Sequence, residues 1–141
     1  MKNFLKVLAV LTAAAALQAV AANAEYPLIA SAAQTSAQIN SADQVNLFYK
    51  GGHIVISVSA YTSGNYTATV QGKDTVTGNY YNILVGPAIS TTGQTVLKVY
   101  PGTAAIANGA ATDILPQTWR VQLNGLASPS MTLAVTAVME N

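Results

Sequence analysis

Residues 53–59 read His-Ile-Val-Ile-Ser-Val-Ser and follow a Gly-Gly pair. Ile54, Ile56 and Val58 recur at every second position, and alternate side chains of a β-strand point to opposite faces. Such a strand has one buried face and one solvated face, which is typical of antiparallel sheets. This stretch therefore predicts an antiparallel β domain.

The same signal recurs after Asp43 as short apolar runs separated by Gly, Pro and Asn. The predicted strands are residues 45–49, 53–59, 66–73, 80–85, 95–100, 118–123 and 131–138. One-sided strands are most simply buried in two packed layers. The sequence thus predicts an all-β fold, an antiparallel β-sandwich of about seven strands.

The alternation also predicts which side chains fill the core. The expected buried residues are Ile54, Ile56, Val70, Leu97, Val99, Trp119, Val121, Leu133 and Val135.

The N-terminus carries a different pattern. Lys2 and Lys6 flank the start of an apolar run that leads into Ala-Asn-Ala at 22–24, as in an export signal peptide. We expect residues 1–24 to be a signal-peptide-like leader helix cleaved after Ala24. The run is alanine-rich and broken by polar residues, so it makes no stable membrane span. The alternative is an uncleaved helix that packs against a neighbouring subunit.

Residues 25–44 are mostly small and polar, with no sustained apolar period. They predict a short polar arm or linker between the leader and a β-sandwich domain over residues 45–141. Tyr26, Leu28 and Ile29 are the arm's candidate assembly residues, because they are apolar anchors that fit a neighbour's groove.

The composition excludes several classes of protein. Charged residues make up 8% of the chain, the net charge is +1 and there is no cysteine. Nucleic-acid binders need a basic patch, so no nucleic-acid partner is expected. Disulfides and thiolate chemistry are excluded. A nearly neutral surface has little repulsion against its copies, which favours a homo-oligomer or an assembly-bound subunit.

The sequence also offers little for catalysis. His53 is the one imidazole, five acidic residues are scattered, and no G-x-S-x-G elbow is present. A lone histidine at the head of a strand is interpreted as structural, and the ligands of a metal site are too few. We expect no enzyme, no catalytic residue, no metal and no cofactor.

Four ordered segments carry a family resemblance. They are G-x-H-hydrophobic at 51–56, Q-G-K-D-x-x-S/T-G-x-Y-Y at 71–81, V-L-x-V-Y-P-G at 96–102 and L-P-x-T-W-R-V at 115–121. In this order they resemble a family of small tailed-phage and prophage proteins. The resemblance implies a virion structural protein, a head decoration or minor capsid component, with like subunits or major capsid or tail proteins as partners. It brings no catalytic residues.

Two other functions stay open. If the leader is cleaved, the protein is exported to the periplasm or beyond, as a bacterial surface or filament subunit that assembles by strand addition. An extracellular carbohydrate-binding module is the third hypothesis. Tyr80, Tyr81 and Tyr100 are its candidate sugar-stacking platform, although cross-strand pairing explains them as well.

Overall fold

The computed structural model describes residues 24–141, so the predicted leader helix lies outside the described residues except for Ala24. Every regular element in this part of the chain is a strand, which confirms the all-β prediction. The strands are β1 Ala24–Gln34, β2 Gln38–Asn40, β3 Gln44–Val45, β4 Gly51–Lys73, β5 Tyr80–Ile89, β6 Gly93–Val99, β7 Ala110–Ala111 and β8 Thr118–Glu140.

Strands β4 and β8 form the spine of the fold. Each is 23 residues long, and they pair antiparallel from Gly51 opposite Glu140 to Gly72 opposite Trp119. The sequence predicted four separate strands here. Each predicted pair is instead one continuous strand.

The predicted strands at 53–59 and 66–73 imply a turn near Ser63. The structure has a bend within β4 there. Three register shifts fall between Val58 and Asn65, and Gly64 has a φ of +68°. A Cβ on Gly64 would lie 2.6 Å from the Cα of Pro129, so no other residue fits. Ala127 and Ser128 of β8 also have positive φ, at 57° and 51°. Both strands therefore bend at one level, and their pairing resumes beyond the bend.

Shorter strands flank the two halves of this spine. We call proximal the half in which residues 51–63 of β4 face residues 130–140 of β8, and distal the half in which residues 65–72 face residues 119–126. The proximal half of β4 pairs with β6, and the partner half of β8 pairs with β1. The distal half of β4 pairs with β5, while β8 there pairs with β2 and β3. β7 adds to β6 in parallel, so the whole is one eight-stranded mixed sheet.

Residues 25–44, which the sequence predicted to be a polar arm or linker, supply most of β1, all of β2 and the first residue of β3. Only Leu28 of β1 is buried, and the pairing with β8 shifts register twice after Pro27. Backbone hydrogen bonds rather than an apolar face hold this edge strand. It therefore leaves no alternating pattern in the sequence.

A single apolar cluster fills the interior, and all the expected core residues are buried in it. The sequence missed Tyr66, whose ring is fully buried and whose hydroxyl donates a 2.8 Å hydrogen bond to the carbonyl of Ser36. Burial raises the pKa of Tyr66. Gly125 makes room for this ring, since a Cβ there would lie 2.9 Å from Tyr66 Cε1.

Trp119 is the largest buried side chain and is 2% exposed. We expect Trp119→Ala to lower the free energy of unfolding by about 3 to 5 kcal/mol, because it leaves a cavity that a rigid sheet cannot close. Urea denaturation measures the loss. Val76→Ala, at a site 93% exposed, is the control and should change little. Equal stability of the two variants would contradict the core assignment.

Candidate functional site

Residues of two of the four motifs, those at 71–81 and 115–121, meet at one end of the spine, and the motifs at 51–56 and 96–102 lie at the other end. Lys73 of β4 pairs with Tyr80 of β5, and Gln71 pairs with Arg120 of β8. The β4–β5 hairpin and β8, which are far apart in the chain, thus become neighbours on the outer face of the sheet. Asp43, between β2 and β3, joins them.

Asp43 lies at the centre of this cluster. Its Oδ2 is 2.7 Å from Lys73 Nζ, and its Oδ1 accepts a 2.7 Å hydrogen bond from the Tyr80 hydroxyl. These hydrogen bonds, that of Lys73 first, hold the pKa of Asp43 below its ordinary value, and the same contact raises the pKa of Lys73. The Arg120 guanidinium stacks 3.5 Å from the centre of the Tyr80 ring.

A second set of bonds extends the cluster inward. Arg120 Nε donates to Gln71 Oε1 at 2.9 Å, and Gln71 Nε2 donates to Asn82 Oδ1 at 2.9 Å. Gln71 is buried, so these bonds satisfy polar atoms that have lost water. Every member already has a partner. The cluster therefore ties three strands, β4, β5 and β8, to the segment between β2 and β3.

The remaining motif positions are explained by local structure. The Asp74 carboxylate accepts bonds from the Val76 N–H at 2.9 Å and the Thr77 hydroxyl at 2.6 Å, which shapes the β4–β5 turn. The Tyr81 ring packs on Gly72, where a Cβ would lie 2.4 Å from its Cζ. These contacts shape the turn of the β4–β5 hairpin and pack its two strands together.

His53 forms a diagonal cross-strand pair with Glu140, with Nδ1 and Oε1 2.9 Å apart. Both side chains are partly exposed at the end of the spine where Gly51 faces Glu140. Within residues 24–141, no group of three or more His, Asp or Glu residues could hold a metal ion. In the same part of the chain, no helix is long and apolar enough to cross a membrane. The absence of catalysis, metal and cofactor stays a prediction.

A different kind of site lies after β3, where Asn46 is buried. Its Nδ2 donates to the carbonyls of Tyr49 at 2.7 Å and Leu115 at 2.8 Å, and its Oδ1 accepts from the Tyr49 N–H at 3.0 Å. Its own N–H donates to Gln117 at 2.7 Å. One amide side chain thus shapes a turn and fixes it to the segment before β8.

This turn directs apolar side chains into solvent. Val45, Leu47 and Phe48 are 69%, 62% and 74% exposed, and together they form what we call the apolar turn. Beside it lies a shallow cleft of about 60 Å³. The lining residues are Tyr26, Gln44, Val45, Asn46, Tyr49, Trp119 and Met139.

The structure separates the three candidate assembly residues. Leu28 is buried in the chain's own core, and Ile29 packs against that core. Tyr26 is 40% exposed and lines the cleft beside the apolar turn. Sequence reasoning missed Leu47 and Phe48, because residues 45–49 were interpreted as a strand. Asn46 just before them, followed closely by two glycines, was the available turn signal.

No family model, curated protein or solved structure matches the chain. What the protein does must therefore be inferred from the surfaces that its own residues build.

Asn46→Ala removes three side-chain hydrogen bonds and leaves buried backbone groups of Tyr49 and Leu115 without them. We expect a loss of about 2 to 3 kcal/mol in the free energy of unfolding. Urea denaturation measures it, and faster proteolysis at residues 46–49 would accompany it. Gln94→Ala, which removes one exposed cross-strand bond, is the control. A loss no larger than the control's would show that the turn does not depend on Asn46.

The Asp43–Lys73 pair predicts a pH dependence of stability. The pKa of Asp43 is lowered from 3.8, so its contribution is present above that pH and is lost as the pH falls through the folded-state value. The pKa of Lys73 is raised from 10.5, so its contribution is present below that pH and is lost as the pH rises through the folded-state value.

Asp43→Asn should therefore be less stable than the parent protein between these limits, and the difference should shrink on either side of them. Urea denaturation across the pH range measures it. Asp113→Asn is the matched control, since the Asp113 carboxylate bonds the nearby backbone of Ile114. A difference for Asp43→Asn that does not change with pH would contradict the pairing.

Proposed function

We propose that the protein is a non-enzymatic structural subunit that acts by assembly, as a head decoration or minor capsid component of a virion. The apolar turn carries this proposal. Leu47 and Phe48 are large apolar side chains that are exposed to solvent, in a turn that the hydrogen bonds of the buried Asn46 shape. Exposed apolar patches of this kind mark protein–protein interfaces.

The rigidity of the turn supports docking. A mobile loop must lose conformational freedom when it binds, and that loss weakens the complex. Here the hydrogen bonds of Asn46 have already ordered residues 46–49 in the folded subunit. Leu47 and Phe48 are thus prepared to act as anchors of an interface.

A second copy of the chain is the partner that this surface favours. The apolar turn and the cleft lined by Tyr26 and Met139 lie side by side, so one face offers both anchors and a recess. A two-fold interface requires such a self-complementary face. A net charge of +1, with 8% charged residues, opposes the approach of copies only weakly. In a virion, a capsid or tail protein takes the same place.

The sheet edges make strand addition less favourable than docking at the turn. β1 contains Pro27 and two register shifts, and β5 contains Pro87 and two further shifts in its pairing with β4. Proline and bulges are the usual guards against edge-to-edge pairing. This favours the virion subunit over a filament subunit that assembles by strand addition.

The finer fold that goes with this proposal is a sheet folded over on itself into two sandwich-like layers. Gly86 of β5 lies in the distal half and Leu97 of β6 in the proximal half. A Cβ on Gly86 would lie 2.9 Å from Leu97 Cδ2, so side chains of the two halves meet across the core. The bend at Gly64 supplies the fold between the layers.

An exported surface subunit is the alternative, and cleavage after Ala24 distinguishes it. Such cleavage would leave almost all of β1 in place, because its pairing with β8 extends from Ala24 to Gln34. The mass of the native protein decides between the two settings. A start at Glu25 favours export, and a start at Met1 favours assembly in the cytoplasm.

The double variant Leu47→Ser with Phe48→Ser tests the proposed interface. We expect the parent protein to sediment as a multimer at micromolar concentration, and the variant to shift towards monomer. Its free energy of unfolding should change by less than about 0.5 kcal/mol, because both side chains are exposed. Sedimentation velocity and urea denaturation measure the two quantities.

Val76→Ser is the matched control, since it removes an exposed apolar side chain from the β4–β5 turn. It should keep the multimer. A parent protein that is monomeric and binds no like subunit, capsid or tail protein would refute the proposed function.

A further inference from the structure

The outer face of the distal half is rich in side-chain amides. Val70, Val121 and Leu123 point into the core, so their neighbours in β4 and β8 point outward. Strands β2 and β5 lie beside them and continue the face. What we call the amide face consists of Asn40, Gln71, Asn82, Arg120, Gln122 and Asn124.

Hydrogen bonds between these side chains form two relays across the strands. In the first, Asn124 Nδ2 donates to Gln122 Oε1 at 3.0 Å, and Gln122 Nε2 donates to Asn40 Oδ1 at 3.1 Å. In the second, Arg120 donates to Gln71, and Gln71 donates to Asn82. The relays fix side chains that would otherwise lose rotamer freedom on binding.

The relays use only part of the hydrogen-bonding capacity of the exposed and half-buried amides of this face. Each amide has two donor hydrogens and a carbonyl oxygen with two lone pairs, and a relay uses only part of this set. Both donors and acceptors therefore remain on the face. Alternate residues along each strand are about 7 Å apart, and neighbouring strands about 5 Å. The amides of the face are therefore spaced by the strands that carry them.

The charges on this face are already engaged. Lys73 is paired with Asp43, and Arg120 stacks on Tyr80 and bonds Gln71. An anionic ligand would have to break these contacts. The amides instead match a neutral ligand that presents many donors and acceptors, and the hydroxyl groups of linked sugar rings do so.

We propose that the amide face binds a neutral polysaccharide. The tyrosines that the sequence suggested for sugar stacking are engaged elsewhere. The Tyr80 ring is covered by Arg120, the Tyr81 ring packs on Gly72, and the Tyr100 hydroxyl donates to the Asn141 carbonyl at 2.6 Å. Amide hydrogen bonds, rather than an aromatic platform, make the contact. This proposal is independent of the apolar turn.

Affinity electrophoresis of the full chain tests it, with dextran, mannan, xylan or hydroxyethylcellulose in the native gel. At least one of these polymers should retard the protein. Gln122→Ala and Asn124→Ala should each weaken the interaction about fivefold, as expected for one lost hydrogen bond. Gln94→Ala, an exposed amide on the proximal half, is the matched control and should be retarded like the parent protein. Thermal melts verify that all variants fold.

Several results would overturn the proposal. These are no retardation by any of the four polymers, retardation that Gln122→Ala and Asn124→Ala leave unchanged, and stronger retardation by the polyanion heparin. Loss of retardation in the Leu47→Ser, Phe48→Ser variant alone would assign the binding to the apolar turn instead. Self-association that persists in Gln122→Ala shows that the two surfaces act separately.

Discussion

The pairing of β4 with β8 is the contact on which the rest of the structure depends. It extends from Gly51 opposite Glu140 to Gly72 opposite Trp119, and all but one of the other strands pair directly with one of these two. Both strands bend where Gly64 faces Pro129, and the pairing resumes beyond the bend. Side chains from both sides of the bend therefore contribute to one apolar core.

The same pairing creates the outer surfaces. Because side chains alternate, each buried residue in the distal half is followed by one that points outward. Gln71 and Arg120 meet on that outer side, and Asp43 and Tyr80 close the cluster. These polar contacts connect β2 and β3 to the spine, where few apolar side chains are available. They also pair Lys73 with Asp43 and engage Arg120 with Tyr80 and Gln71, so the face beside them is rich in amides and nearly neutral.

The turn after β3 shows a different use of polar contacts. Asn46 satisfies three backbone groups, and the turn that it shapes exposes Leu47 and Phe48. Exposed apolar side chains contribute nothing to the stability of the isolated subunit. An apolar turn of this kind is the basis on which we propose a contact with another protein.

The sequence by itself determined the all-β class and the core, because alternation of apolar residues directly reports which face of a strand is buried. Ile54, Trp119 and Leu133 were identified in this way. Only the tertiary structure decided that β4 is one bent strand, since turn residues such as Gly64 predict a loop and a bulge equally well. It also decided that the segment after Ala24 is an edge strand held by backbone hydrogen bonds, which have no side-chain signature. The meeting of Gln71 with Arg120 depends on strand register, which no local pattern encodes.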